Sequence, residues 1–73
     1  MGRTLEEVLG RMYASEINVT ISCFWDAGWS ISLGDSPNDF LETAYVDKAE
    51  KLAGILDALI VKHYPESVYT KTR

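Results

Sequence analysis

The 73-residue chain holds one cysteine, one histidine and two prolines, with seven basic side chains against eleven acidic ones. A single cysteine excludes an internal disulfide, which fits a reducing compartment. One Cys and one His cannot complete a zinc site within one chain. No apolar run approaches the roughly 20 residues that span a bilayer. The opening MGRTLEEVLG lacks the apolar core of a secretory signal. Glu6 also stands where an N-myristoylation pattern needs Ser or Thr. These absences lead us to expect a cytoplasmic protein with no membrane association. Gly-rich phosphate loops, nucleophile elbows and metalloprotease helices are missing too. We therefore expect no enzyme, no cofactor and no metal. The net charge of −4 disfavours a phosphate backbone as partner and favours a basic protein.

What is present reads as one small domain over residues 1–73. Its composition is ordinary for a globular protein, 47% hydrophobic and 25% charged. A chain this short buries a thin core, so self-association, simplest as a homodimer, is worth expecting. In TLEEVLGRMYAS, Thr4 and Glu7 have capping-box spacing, and Leu5, Val8, Leu9 and Met12 form one apolar stripe. Glu7 and Arg11 stand one helical turn apart as a surface pair. DKAEKLAGILDALIVKHY reads as a second helix, capped by Asp47 with Glu50. Its stripe is Ala49, Leu52, Ala53, Leu56, Leu59, Ile60 and His63, and Pro65 ends it. From about residue 66 the tail is expected to pack briefly through Val68 and Tyr69 and then fray.

Between the helices the period changes to two. INVTISCFW places Ile17, Val19, Ile21, Cys23 and Trp25 on one side; WSISL places Trp29, Ile31 and Leu33 on one side. A three-residue loop, Asp26-Ala27-Gly28, sets Trp25 opposite Trp29, Cys23 opposite Ile31 and Ile21 opposite Leu33. All of these then lie on one face, with the two tryptophans buried as a cross-strand pair. Gly28 falls where such a loop needs a positive φ. FLETAYV is a third strand. Keeping Glu42 out of the core turns Leu41, Thr43 and Tyr45 inward, and Phe40, Ala44 and Val46 outward with Glu42. The fold class is α+β: α-β-β-β-α, a three-stranded antiparallel meander with two helices on one face.

The other face is the expected partner-binding surface. Asn18, Thr20, Ser22, Phe24, Ser30 and Ser32 share it on the first two strands, and Phe40, Glu42, Ala44 and Val46 on the third. Short hydroxyl side chains make it flat, and the phenylalanines give it apolar anchors. The competing reading leaves Phe24 and Phe40 standing singly, or folds them under the tail beside Val68 and Tyr69. Three smaller constellations are weaker. Cys23 with His63 has nucleophile-and-base chemistry, yet Cys23 alternates with core residues. Asp35, Asn38 and Asp39 offer oxygens to a cation without the spacing of a calcium loop. Lys48, Lys51 and Lys62 share one flank of the second helix.

Two families are echoed. The element order and the helix start KAEKLAG resemble double-stranded-RNA-binding domains. That likeness implies a nucleic-acid-binding module with Lys48 and Lys51 on phosphates, the alternative function. WDAGWSISLGDSPNDFLETAYVDKAEKLAGIL, residues 25–56, looks more like the small module of HicB-type antitoxins. This second likeness implies an acidic protein that binds and masks a small basic toxin.

Overall fold

The computed structural model describes residues 4–35 and 40–72. Helix α1 (Leu5–Ala14) precedes strands β1 (Val19–Phe24), β2 (Gly28–Gly34) and β3 (Phe40–Val46). Helices α2 (Leu52–His63) and α3 (Val68–Lys71) follow, with a 3-10 turn at Ala49–Lys51 leading into α2. The strands form one antiparallel sheet in the order β1-β2-β3. The α+β class and the α-β-β-β-α order expected from the sequence are therefore present.

Thr4 caps α1 as its spacing predicts: its hydroxyl accepts from the Glu7 N–H, and the Glu7 carboxylate reaches back to the Thr4 N–H. Val8 and Met12 are buried, while Leu9 lies at the rim of the stripe. The helix ends in a Schellman arrangement. The Ile17 N–H donates to Met12 O and the Glu16 N–H to Tyr13 O, with Glu16 at φ 59°. Arg11 does not pair with Glu7. It crosses to α3, donating to Tyr69 O at 3.0 Å and Thr72 Oγ1 at 2.8 Å, over the Tyr69 ring.

The β1–β2 register differs from the expected one by two residues. Val19 faces Leu33, Ile21 faces Ile31, Cys23 faces Trp29 and Phe24 faces Gly28. A two-residue slip returns every side chain to the same face, so alternation could not separate the two registers. In the expected register Val19 would face Asp35; here it gains Leu33, and the ladder lengthens. The turn confirms this choice: the Ala27 N–H donates to Phe24 O at 3.0 Å, and Gly28 follows at φ 89°. Gly28 thus has the positive φ expected of it. Trp25 falls in the turn and is 96% exposed, so the buried Trp25–Trp29 pair does not form. Trp29 packs against the core by itself.

Strand β3 is turned over relative to expectation. Trp29 faces Val46, Ile31 faces Ala44 and Leu33 faces Glu42. Val46 is therefore core and Tyr45 exposed; a register shift at Leu33/Gly34 then interrupts the alternation, leaving Leu41 exposed and Phe40, opposite Gly34, half-buried. The premise that failed was that a carboxylate avoids the helix-covered face. Glu42 sits at its rim and is satisfied there by Lys62 and His63 from the last turn of α2. Small Ala44 and apolar Val46 then lie where α2 packs on the sheet.

Helix α2 buries Leu52, Leu56, Leu59 and Ile60 as expected. Its start is not the expected capping box: no side chain caps it, Ala49 is exposed, and Asp47 pairs with Lys51 instead. The tail packs through Tyr69 as expected, while Val68 is exposed. Ser67 caps α3 by accepting from the Thr70 N–H, and Tyr69 is fully buried with its hydroxyl donating to Asp57 Oδ1. Buried residues of α1, α2, α3, β2 and β3, with Ile17, make one core. Its cover thins toward β1, where Val19 and Ile21 are half-buried and Cys23 is exposed.

Candidate functional site: the open sheet face and the hairpin end

The sheet face away from the helices is built by alternation. Strand β1 contributes Thr20, Ser22 and Phe24; β2 contributes Gly28, Ser30 and Ser32; β3 contributes Thr43 and Tyr45, with exposed Leu41 next to Thr43 at the register shift. Thr20 lies opposite Ser32, which lies opposite Thr43, and the Ser32 and Thr43 hydroxyls are 3.0 Å apart. Ser22, Ser30 and Tyr45 form the next row. The central strand thus carries only small residues on this face. Large side chains stand on the flanking strands: Phe24 is 61% exposed, Leu41 50% and Tyr45 84%. The result is a hydroxyl-lined trough with apolar walls.

Of the residues expected here, Thr20, Ser22, Phe24, Ser30 and Ser32 are brought together. Val46 is not, because β3 turns it to the helix side, where it retains 3% of its exposure; Phe40, half-buried, pairs with Gly34 beyond a bulge that interrupts the alternation. Asn18 stands just before β1, and its amide donates to Asp35 Oδ1 at 2.8 Å. The reading with Phe24 beneath the tail also fails, since that ring is open and Tyr69 is buried elsewhere. Sequence reasoning missed Leu41, Thr43, Tyr45 and Trp25. A signal existed for β3: Lys62 and His63 end the apolar stripe of α2, so a cationic helix end was available to receive Glu42.

The hairpin end opens a cleft of about 410 Å³ lined by Cys23, Phe24, Trp25, Asp26, Ala27, Gly28, Trp29 and Asp47. Gly28 permits it. A Cβ there would lie 2.7 Å from Val46 O, so the chain leaving β3 passes directly against the turn and brings Asp47 to the cleft. Two tryptophans, a phenylalanine and two carboxylates share this space. Lys51 Nζ lies 3.4 Å from Asp47 Oδ1, both side chains being well exposed.

At the other end of the sheet, Glu42 Oε1 lies 2.8 Å from Lys62 Nζ and 2.7 Å from His63 Nε2. The Lys62 hydrogen bond, then the His63 one, holds the Glu42 carboxyl below its ordinary range. Burial, with Asp35 nearby, pushes the Tyr64 phenol up. His63 is thereby placed two rows along the sheet from Cys23, so these two candidates do not meet. Among the described residues, no group of three or more His, Cys, Asp or Glu is placed to hold a metal ion. Asn38 and Asp39 lie outside the described residues. No described helix is long and apolar enough to cross a membrane. The chain matches no protein-family model, no curated protein and no solved structure at a significant level.

Proposed function

We propose that this chain is a non-enzymatic protein–protein interaction module that binds a basic protein through the open face of its sheet. One observation carries the reading: Phe24, Leu41 and Tyr45 are exposed beside a trough of small side chains that none of the described helices covers. Apolar surface left open beside polar side chains marks association sites, and aromatic anchors concentrate interface energy. The net charge of −4 supports a basic partner. The resemblance of residues 25–56 to the HicB-type antitoxin module points the same way. A cytoplasmic setting agrees with one exposed thiol and no internal disulfide.

The double variant Phe24→Ser with Tyr45→Ser tests this. Sedimentation and co-purification from the native host should show the assembly lost, with the thermal melt nearly unchanged. Unfolding of the variant would assign those rings to the core. Unchanged assembly in a folded variant would leave the face as solvated surface. Loss of a two-fold self-association, with no second protein involved, would make the partner another copy of the chain. Titration with duplex RNA checks the alternative: binding that falls steeply with salt would favour it.

A further inference from the structure

We propose that the hairpin-end cleft is a receptor for a guanidinium or ammonium side chain, and that its occupant is an arginine of a basic protein partner. The identity of the occupant rests on the function proposed above; capture of the cation itself rests on the cleft alone.

The cleft combines two kinds of group that attract an organic cation. Trp25, Trp29 and Phe24 are among its lining residues, and an aromatic face binds guanidinium better than it binds a neutral side chain of similar size. Asp26 and Asp47 add two carboxylates, which match the donor fork of arginine. Trp25 is 96% exposed, a large apolar surface on a turn residue that the core does not use.

A second observation comes from Lys51. Its ammonium lies 3.4 Å from Asp47 Oδ1, so one carboxylate of the cleft already attracts a cation from within the chain. Both partners of that pair are more than half exposed, so the interaction is weak and exchangeable. An arriving guanidinium can take the Asp47 carboxylate and stack on the rings, which the Lys51 pair leaves unused. The backbone frame is fixed by the Phe24–Ala27 turn and by the close passage of Val46 past Gly28. The backbone that carries Trp25, Asp26 and Asp47 is thereby set before any ligand arrives, while the Trp25 side chain stands in solvent.

The test is an NMR titration of the full chain with N-acetyl-arginine amide, using N-acetyl-glutamine amide as the neutral control. The Trp25 and Trp29 indole N–H signals should shift saturably with the arginine compound at millimolar concentration. The glutamine compound should leave them in place. The double variant Asp26→Asn with Asp47→Asn should abolish the preference for the cation, and Trp25→Ala should weaken binding roughly two- to fivefold. Lys51→Gln should tighten it by removing the resident competitor. Tyr45→Ser stands apart from the cleft and should leave the titration unchanged. If the indoles do not respond, or respond equally to the neutral amide, the inference is overturned. Should that happen while Tyr45→Ser still abolishes protein assembly, this inference alone fails and the open-face reading stands.

Discussion

Glu16 occupies the left-handed region at φ 59°, a conformation that costs a side chain with a Cβ roughly 1–2 kcal/mol. It is exposed, and its backbone closes the end of α1. Glu16→Gly should therefore raise stability by about 0.5–1 kcal/mol, measured by urea denaturation, the gain being trimmed by glycine's freedom in the unfolded chain. Gly28 presents the opposite case. Its φ of 89° and the 2.7 Å approach of Val46 O leave no room for a Cβ. Gly28→Ala should cost at least about 1–2 kcal/mol. This glycine was legible in the sequence because a tight hairpin between alternating strands needs one residue at positive φ. Trp25 was not legible. Slipping the register by two residues leaves the apolar pattern intact, and only turn geometry decides whether that indole pairs across the sheet or stands in water. Acrylamide quenching separates the outcomes: with Trp29 replaced by Phe, the remaining Trp25 emission should quench nearly as in denatured protein. Shielded emission would restore the buried pair.

At the scale of elements, β3 and α2 are joined at the rim by one carboxylate. Lys62 and His63 both reach Glu42, and their hydrogen bonds lower its pKa. A carboxyl with a depressed folded-state pKa contributes stability that is present above its unfolded pKa and lost as pH falls through the folded one. The melting temperature of the parent should therefore exceed that of Glu42→Gln at neutral pH. The difference should disappear as the pH drops below the ordinary carboxylate range. A gap that does not shrink at all as the pH falls through the carboxylate range would mean that Glu42 acts through packing. Helix α3 is the other join. Tyr69 is fully buried, bonds Asp57 and lies under Arg11, so the last turn ties α1 to α2. Its aromatic ring was visible in the tail sequence. Its anchoring was not, because Arg11 lies 58 residues away and had a nearer carboxylate in Glu7. The short local pair lost to a longer one that also satisfies the Tyr69 carbonyl and stacks on its ring.

For the whole molecule, the sheet has one face that the helices cover and one that the described helices leave open. The helix-side face holds Ile31 and Leu33, neither with any exposure; the open face holds Phe24, Leu41 and Tyr45, all at least half exposed. Which face of β1 and β2 goes inward was readable from alternation, since one side of each is serine and threonine. On β3 the two sides are nearly balanced, Leu41, Thr43 and Tyr45 against Phe40, Ala44 and Val46, so a single assumption about Glu42 decided the strand wrongly. The imbalance can be measured. Ile31→Ala empties a site in the only large core cluster of the described residues and should cost roughly 2–5 kcal/mol. A domain of this size has little more than about 5 kcal/mol in total, so the variant should be largely unfolded or close to it. Tyr45→Ala removes a larger side chain from the same sheet, one row further along and on the other face. It leaves no cavity, and its cost should stay within about 0.5 kcal/mol. Paired urea denaturation of the two variants reads this directly. If Tyr45→Ala proves as damaging as Ile31→Ala, the open face is covered in solution. A parent midpoint that rises with protein concentration would then identify a second copy as the cover, because only association makes stability depend on concentration.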